Sequence, residues 1–200
     1  MHTRVITVSR EFGAGGRTIG KLVAERLGYV FYDRELIARI AESSGLSPSY
    51  ILEHGEYATS TSRLLFNLEL HGGLPGADLP IPDQLYVLQH NIITELAAKE
   101  ACVIVGRCAD YALRDRKDCL HIFFHADVAF RANRIVDAYS ETGQDPVKRL
   151  HETDTKRKVY YEYYTNRIWG MARNYHLSLD SGVIGIEKCA DIVTDLARSF

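Results

Sequence analysis

Three glycines within four residues, Gly13, Gly15 and Gly16, stand immediately before Arg17 and Thr18. Glycine accepts the left-handed backbone that turns successive N–H groups toward one point, and such a nest ahead of a helix holds anions, phosphate above all. With Ala14 inside the turn, residues 13–18 form a candidate phosphate cradle. The usual phosphate-binding pattern is GxxxxGK[ST], in which the lysine reaches the terminal phosphates. Counted from Gly15, the lysine slot holds Gly16 and the first glycine slot holds Arg10. The nearest following cation is Arg17, whose guanidinium is always charged and grips phosphate through two parallel N–H bonds. Arg17 is therefore the expected substitute for the lysine, with Lys21 one turn further on as the second candidate. The Thr18 hydroxyl is the expected ligand for Mg²⁺.

A cradle of this kind needs a strand before it and a helix after it. Residues 4–9 include the β-branched run Val5, Ile6, Thr7 and Val8, which suits a strand. Ile19, Leu22, Val23 and Leu27 fall at helical spacing, and Gly28 ends the helix. Further strands are expected at 29–32, ending at Asp33; at 101–105, ending at Gly106 and Arg107; at 120–124, ending at His125; and at 175–179. Helices are expected at 34–42, 84–100, 127–139 and 186–198. A tyrosine-rich helix follows a break at 143–146 and reaches about 166. Residues 46–70 read as helical in pieces, and 72–82, with three glycines and three prolines, as a long loop. Alternating strands and helices imply an α/β fold with a parallel sheet covered on both faces. Ligands in such folds sit beyond the carboxyl ends of the strands, where Ser9, Asp33, Arg107 and His125 lie.

Composition narrows the function. Two hundred residues, 46% hydrophobic, suit one domain. A net charge of −2 gives no basic field for non-specific nucleic-acid binding. Cys102, Cys108, Cys119 and Cys189 form no CxxC pair, as expected for reduced thiols in a cytoplasmic protein, and no histidine spacing suggests a metal centre. No apolar run reaches bilayer length, and Met1 leads almost directly into the first strand, so neither a membrane span nor a signal peptide is expected.

Five segments, I-T-V-S-R-E-F-G-A-G-G-R, F-Y-D-R-E-L-I, V-I-V-G-R-C-A-D-Y, D-T-K-R-K-V-Y-Y-E-Y-Y-T and N-Y-H-L-S-L-D-S-G-V-I-G-I-E-K, occur in this order. Together they resemble the cytidylate kinase-like P-loop proteins over essentially the full length. The resemblance implies a three-layer α/β/α P-loop NTPase fold with a five-stranded parallel sheet. It divides residues 1–200 into a core (1–45 and 84–135), a helical subdomain for the acceptor nucleotide (about 46–83), a helical lid (about 136–170) and a last strand and helix (175–200). The implied reaction is transfer of the ATP γ-phosphoryl, with Mg²⁺, to CMP or dCMP.

The resemblance also implies roles for individual residues. Gly13, Ala14, Gly15 and Thr18 fall on the phosphate loop, and Gly16 on the catalytic lysine. Asp33 matches an aspartate beside the acceptor phosphate, and also suits holding Mg²⁺ through water; Arg39 matches an arginine for the acceptor phosphate. Arg34 stands where those enzymes have a nucleotide-contacting serine. Arg107 matches the arginine of their G-R-D motif, whose aspartate is displaced to Asp110. Arg131 and Arg134 match the R-x-x-R that faces ATP, and Asp154 and Arg157 the D-x-x-R that contacts cytosine and phosphate. Phosphoryl transfer needs arginines converging from several elements on the moving charge, so Arg17, Asp33, Arg131 and Arg157 are the expected catalytic group. Most of Tyr160, Tyr161, Tyr163 and Tyr164 are expected to pack on the core, with one free to stack on a base. Two alternatives stay open: a kinase of another small acceptor, since the segment between Leu46 and Pro82 does not match the acceptor subdomain of cytidylate kinases, and a nucleotide-binding regulatory module with weak catalysis, since glycine replaces the lysine at 16.

Overall fold

A computed structural model describes residues 3–45, 47–49, 51, 80–139 and 145–199. Most of the expected acceptor subdomain, about 46–83, and the first half of the expected break at 143–146 therefore lie outside the described residues. Strand β1 (Val5–Arg10) leads through the glycine turn into α1 (Gly16–Leu27), then β2 (Val30–Tyr32) and α2 (Arg34–Ser44). Next come α3 (Ile81–Lys99), β3 (Cys102–Val105), a short α4 (Ala109–Ala112), β4 (Cys119–His125) and α5 (Val128–Tyr139). The tyrosine-rich α6 (Pro146–Thr165), β5 (Leu177–Asp180), a short α7 (Ser181–Ile184) and α8 (Ile186–Ser199) complete the order.

The five strands form one parallel sheet in the order β2-β3-β1-β4-β5. Val5 pairs with Cys102 on one side and Cys119 on the other, and the last residue of β1, Arg10, pairs with Phe124. Because successive residues alternate between faces, the sheet has two apolar surfaces. Ile6, Val8, Val103, Leu120 and Phe124 pack against α1 and α8, and Val5, Ile104 and Cys119 against α2 and α3. Burial on both faces explains why β3 and β4 read as continuous apolar runs.

Helix ends follow local chemistry. Gly28 and Asn166 close α1 and α6 in the left-handed conformation. Asp145 opens α6 by accepting from the Val147 and Lys148 amides, with Pro146 at the first helical position. Helix α3 begins at Ile81, inside the stretch expected to be loop, because Pro82 in its first turn has no N–H to lose there. Strand β5 begins two residues later than expected, after a 3₁₀ turn at Ala172–Asn174.

A third apolar cluster fixes α6 on α3. Tyr164 stacks on Tyr86 with ring centres 4.1 Å apart, and its hydroxyl donates to Asp83 at 2.7 Å. Tyr160, Tyr161 and Tyr164 are all buried, so most of the tyrosine face is packing. The four cysteines are buried free thiols, and no described helix is long and apolar enough to cross a membrane.

His121, in the middle of β4, lies 2.8 Å from Thr7 Oγ1 and stacks on His176. Burial, with the neighbouring His176 and Arg167, lowers its pKa from 6.5 to about 4. The unfolded imidazole binds a proton near 6.5 while the folded one resists until about 4, so acid favours the unfolded chain across this interval. Stability is expected to fall as pH drops from about 6.5 to about 4. Urea melts of His121→Asn should show a flatter pH profile there; an unchanged slope would assign the loss to carboxylates.

Candidate active site

The glycine turn is compressed from several sides, which is why it carries so little side chain. Gly13 and Gly15 have φ of 82° and 79°. A Cβ on Gly13 would lie 2.7 Å from the Arg131 carbonyl, and one on Gly15 would strike Ile186. Ser181, opening α7, donates to the Ala14 carbonyl at 2.6 Å, and the Glu11 amide donates to the Phe124 carbonyl at 3.0 Å. The turn thus stands at the carboxyl edge of the sheet with the N-terminus of α1 behind it. The first amides of α1 have no partner within the helix and carry its positive dipole end, which suits a triphosphate.

Asp154 on α6 holds this turn in place. One carboxylate oxygen accepts the Phe12 amide at 2.7 Å and the other accepts Arg131 Nη1 at 2.5 Å. Arg131, only 6% exposed, donates in turn to the Phe12 carbonyl at 3.3 Å and lies 3.5 Å from Glu11. Asp154 and Arg131 therefore clamp the loop from behind, and neither lines the cavity over the glycines. Arg157, one turn along α6, donates to the Arg10 carbonyl at 3.3 Å with its guanidinium 5.5 Å from the Phe12 ring.

Two cavities adjoin. The first lies over Gly13, Gly15, Gly16 and Thr18 and is flanked by Arg10, Arg17, Arg134 and Arg157. The second lies over Ser9, Gly106 and Arg107, walled by Tyr160, Tyr161 and Trp169, and it too is lined by Arg10 and Arg157. Gly106, Arg107 and Cys108 have φ of 75°, 58° and 53°. Two consecutive non-glycine residues in the left-handed region are strained, a condition that clusters at functional sites. The turn aims Arg107 toward Gln89, whose Oε1 accepts from it at 3.3 Å. Asp110 lies beneath this cavity rather than on its wall, accepting Tyr161 Oη at 2.7 Å and Ser9 Oγ at 3.3 Å. Its complete burial raises its carboxyl pKa against the lowering effect of those hydrogen bonds.

The remaining expected residues divide. Arg17 is half exposed and its Nε pairs with Asp33 at 2.5 Å, so these two are brought together beside the cradle. Arg134 donates to Thr18 Oγ1 at 2.8 Å. Arg39 stands apart on the exposed side of α2, its guanidinium 5.7 Å from the Tyr32 ring. No cluster of three metal-ligating side chains occurs among the described residues. Thr18 accepts from Arg134 and Asp33 is paired with Arg17, so these two oxygen-bearing side chains are already engaged beside the cradle. Arg10 ends β1 at the carboxyl edge of the sheet and lines both cavities, a position that a strand ending at Ser9 does not reveal.

Comparison with known proteins bears on the family and the fold. The model of the cytidylate kinase-like family matches residues 5–183. A cytidylate kinase of Roseiflexus castenholzii is 39% identical over 59 residues, which span 30% of this chain and 25% of that protein. Among solved structures, an uncharacterized protein from Eubacterium ventriosum matches with a TM-score of 0.73 and 23% identity over 98% of this chain and 99% of its own. A shikimate kinase from Bacteroides thetaiotaomicron gives a TM-score of 0.57 at 17% identity, covering 96% and 97% of the two chains. A gluconokinase from Sinorhizobium meliloti gives 0.54 at 15% identity, covering 99% and 95%. At these identities the solved structures establish the shared fold alone.

If Asp154 is the clamp, Asp154→Ala leaves the buried Arg131 short of its nearest anion and should cost about 3 kcal/mol or more in urea unfolding. Asp154→Asn, which still accepts the Phe12 amide, should cost less. A loss below about 1 kcal/mol in the alanine variant would mean that Glu11 alone satisfies Arg131.

Proposed function

Because the chain belongs to the cytidylate kinase-like family, we propose that it transfers the γ-phosphoryl of ATP to a nucleoside monophosphate, CMP or dCMP first. The observation that carries this reading is the pair of adjoining cavities at the carboxyl edge of the sheet, sharing Arg10 and Arg157. The glycine cradle supports the donor phosphates. The neighbouring cavity, lined by Arg10, Arg107 and Arg157 with no carboxylate among its described lining residues, suits an acceptor that is itself an anion. Two anions must meet for this reaction, and arginines entering from β1, from the turn after β3 and from α6 reduce their repulsion. Mg²⁺ held by Thr18 and Asp33 would neutralise charge on the donor phosphates. Arg134, beside Thr18, suits the outer side of the triphosphate. Tyr160, Tyr161 and Trp169 exclude water and offer flat surfaces to a base.

A second reading has an observation in its favour. Both oxygens of Asp154 are engaged, by the Phe12 amide and by Arg131, which leaves little of the carboxylate to read a cytosine. A kinase of another small anionic acceptor fits that arrangement.

A coupled ADP-release screen over CMP, dCMP, UMP, AMP, GMP and small-molecule acceptors separates the two. Preference for CMP or dCMP supports the first reading; turnover of another acceptor with none of the five supports the second. With the accepted substrate, Arg107→Gln should raise the acceptor KM about tenfold or more, the scale of one lost charge-assisted hydrogen bond. The KM for ATP should stay nearly constant. Equal rises in both constants would place Arg107 outside the acceptor cavity.

A further inference from the structure

Gly16 raises a question that its backbone does not answer. It opens α1 outside the left-handed region, and glycine is a poor helix residue, so conformation gives no reason for it there. Space does. A Cβ at position 16 would lie 2.8 Å from Arg10 Cβ, 3.1 Å from Arg10 Cγ and 3.3 Å from the Phe124 ring. The stem of Arg10 fills the space in which a lysine at 16 would begin. Its guanidinium continues to the opposite edge, where all three of Cζ, Nη1 and Nη2 lie against the place a Cβ on Gly106 would occupy. Arg10 therefore spans from the start of the phosphate-binding helix to the turn that presents Arg107, lining both cavities.

The sequence shows the same arrangement in exchanged form. The pattern GxxxxGK puts a residue without a side chain in its first slot and a cation in its seventh. Here the first slot holds Arg10 and the seventh holds Gly16. Each substitution makes room for the other. We infer that Arg10 is the phosphate-contacting cation of this enzyme, performing from the end of β1 the task the lysine performs from α1. It stands between donor cradle and acceptor cavity, where charge develops during transfer. Arg17, adjacent to the vacated slot, is instead half exposed and paired with Asp33. This inference rests on the phosphotransfer reading above.

Steady-state kinetics with the accepted substrate, or slow ATP turnover to water if none is found, test it. Arg10→Met keeps the packed stem and removes the charge. Its kcat should fall on the order of 10²-fold with a much smaller change in the KM for ATP, the signature of a contact strongest in the transition state. Arg10→Lys should restore part of the loss. Arg10→Gly should fall as far as Arg10→Met, and adding Gly16→Lys to it should recover at least about tenfold, because the lysine now has its space. Circular dichroism melts establish that each variant is folded before its rate is compared. Wild-type turnover in Arg10→Met, a greater loss in Arg17→Ala than in Arg10→Met, or no recovery in the folded double variant would overturn the inference and leave the kinase reading standing. A wild-type protein that neither binds ATP in calorimetry nor turns it over would overturn both.

Discussion

The Asp154 carboxylate holds three parts of the chain with two oxygens. It receives the Phe12 amide from the glycine turn and the Arg131 guanidinium from α5, while belonging itself to α6. Arg131 returns a hydrogen bond to the Phe12 carbonyl, so the peptide ahead of the glycines is gripped from both its polar ends. A glycine-rich turn has the most conformational freedom to lose, and a nest whose N–H groups wander binds phosphate poorly. A part-buried ion pair on that one peptide keeps the amides aimed at a common point. Arg157, a turn beyond Asp154, reaches the Arg10 carbonyl from the same helix. The glycine turn and the arginines beside it thus share a single frame.

The tyrosines serve the same frame from the other end. Helix α6 is polar along much of its length and would not dock by hydrophobic area alone. Tyr160, Tyr161 and Tyr164 give it an apolar face against Tyr86 of α3. Two of their hydroxyls reach buried carboxylates, Asp110 and Asp83. Tyr161 and Ser9 surround Asp110 below the cavity that Arg107 lines, so the floor of that cavity is itself a bonded network. Such networks are costly when incomplete and rigid when satisfied.

Most of the fold could be read from the chain, because a parallel sheet buried on both faces forces continuous apolar strands, and glycine marks the turns between them. The five strands and the long helices were visible for that reason. What could not be read was side-chain reach across elements. Asp154 resembles a base-reading residue by its D-x-x-R spacing, yet in space it faces the Phe12 amide, a partner 142 positions away. Arg39 follows a matching pattern and rests by Tyr32. Arg10 was hidden by one residue: ended at Ser9, the strand leaves Arg10 in the loop; extended to its pairing with Phe124, it carries Arg10 to the sheet edge. The left-handed run at Gly106–Cys108 has no signature beyond its glycine, since neither arginine nor cysteine favours that region.

The contact between the Arg10 stem and Gly16 also bears on how such a loop changes over evolutionary time. Two residues that compete for one space cannot be exchanged one at a time without passing through a poor intermediate. Acquiring a side chain at 16 first drives it into an occupied stem, and replacing Arg10 first removes the arginine common to both cavities before position 16 can supply another charge. If Arg10 is the phosphate-contacting cation, the strand-borne and helix-borne arrangements interconvert only when both positions change together.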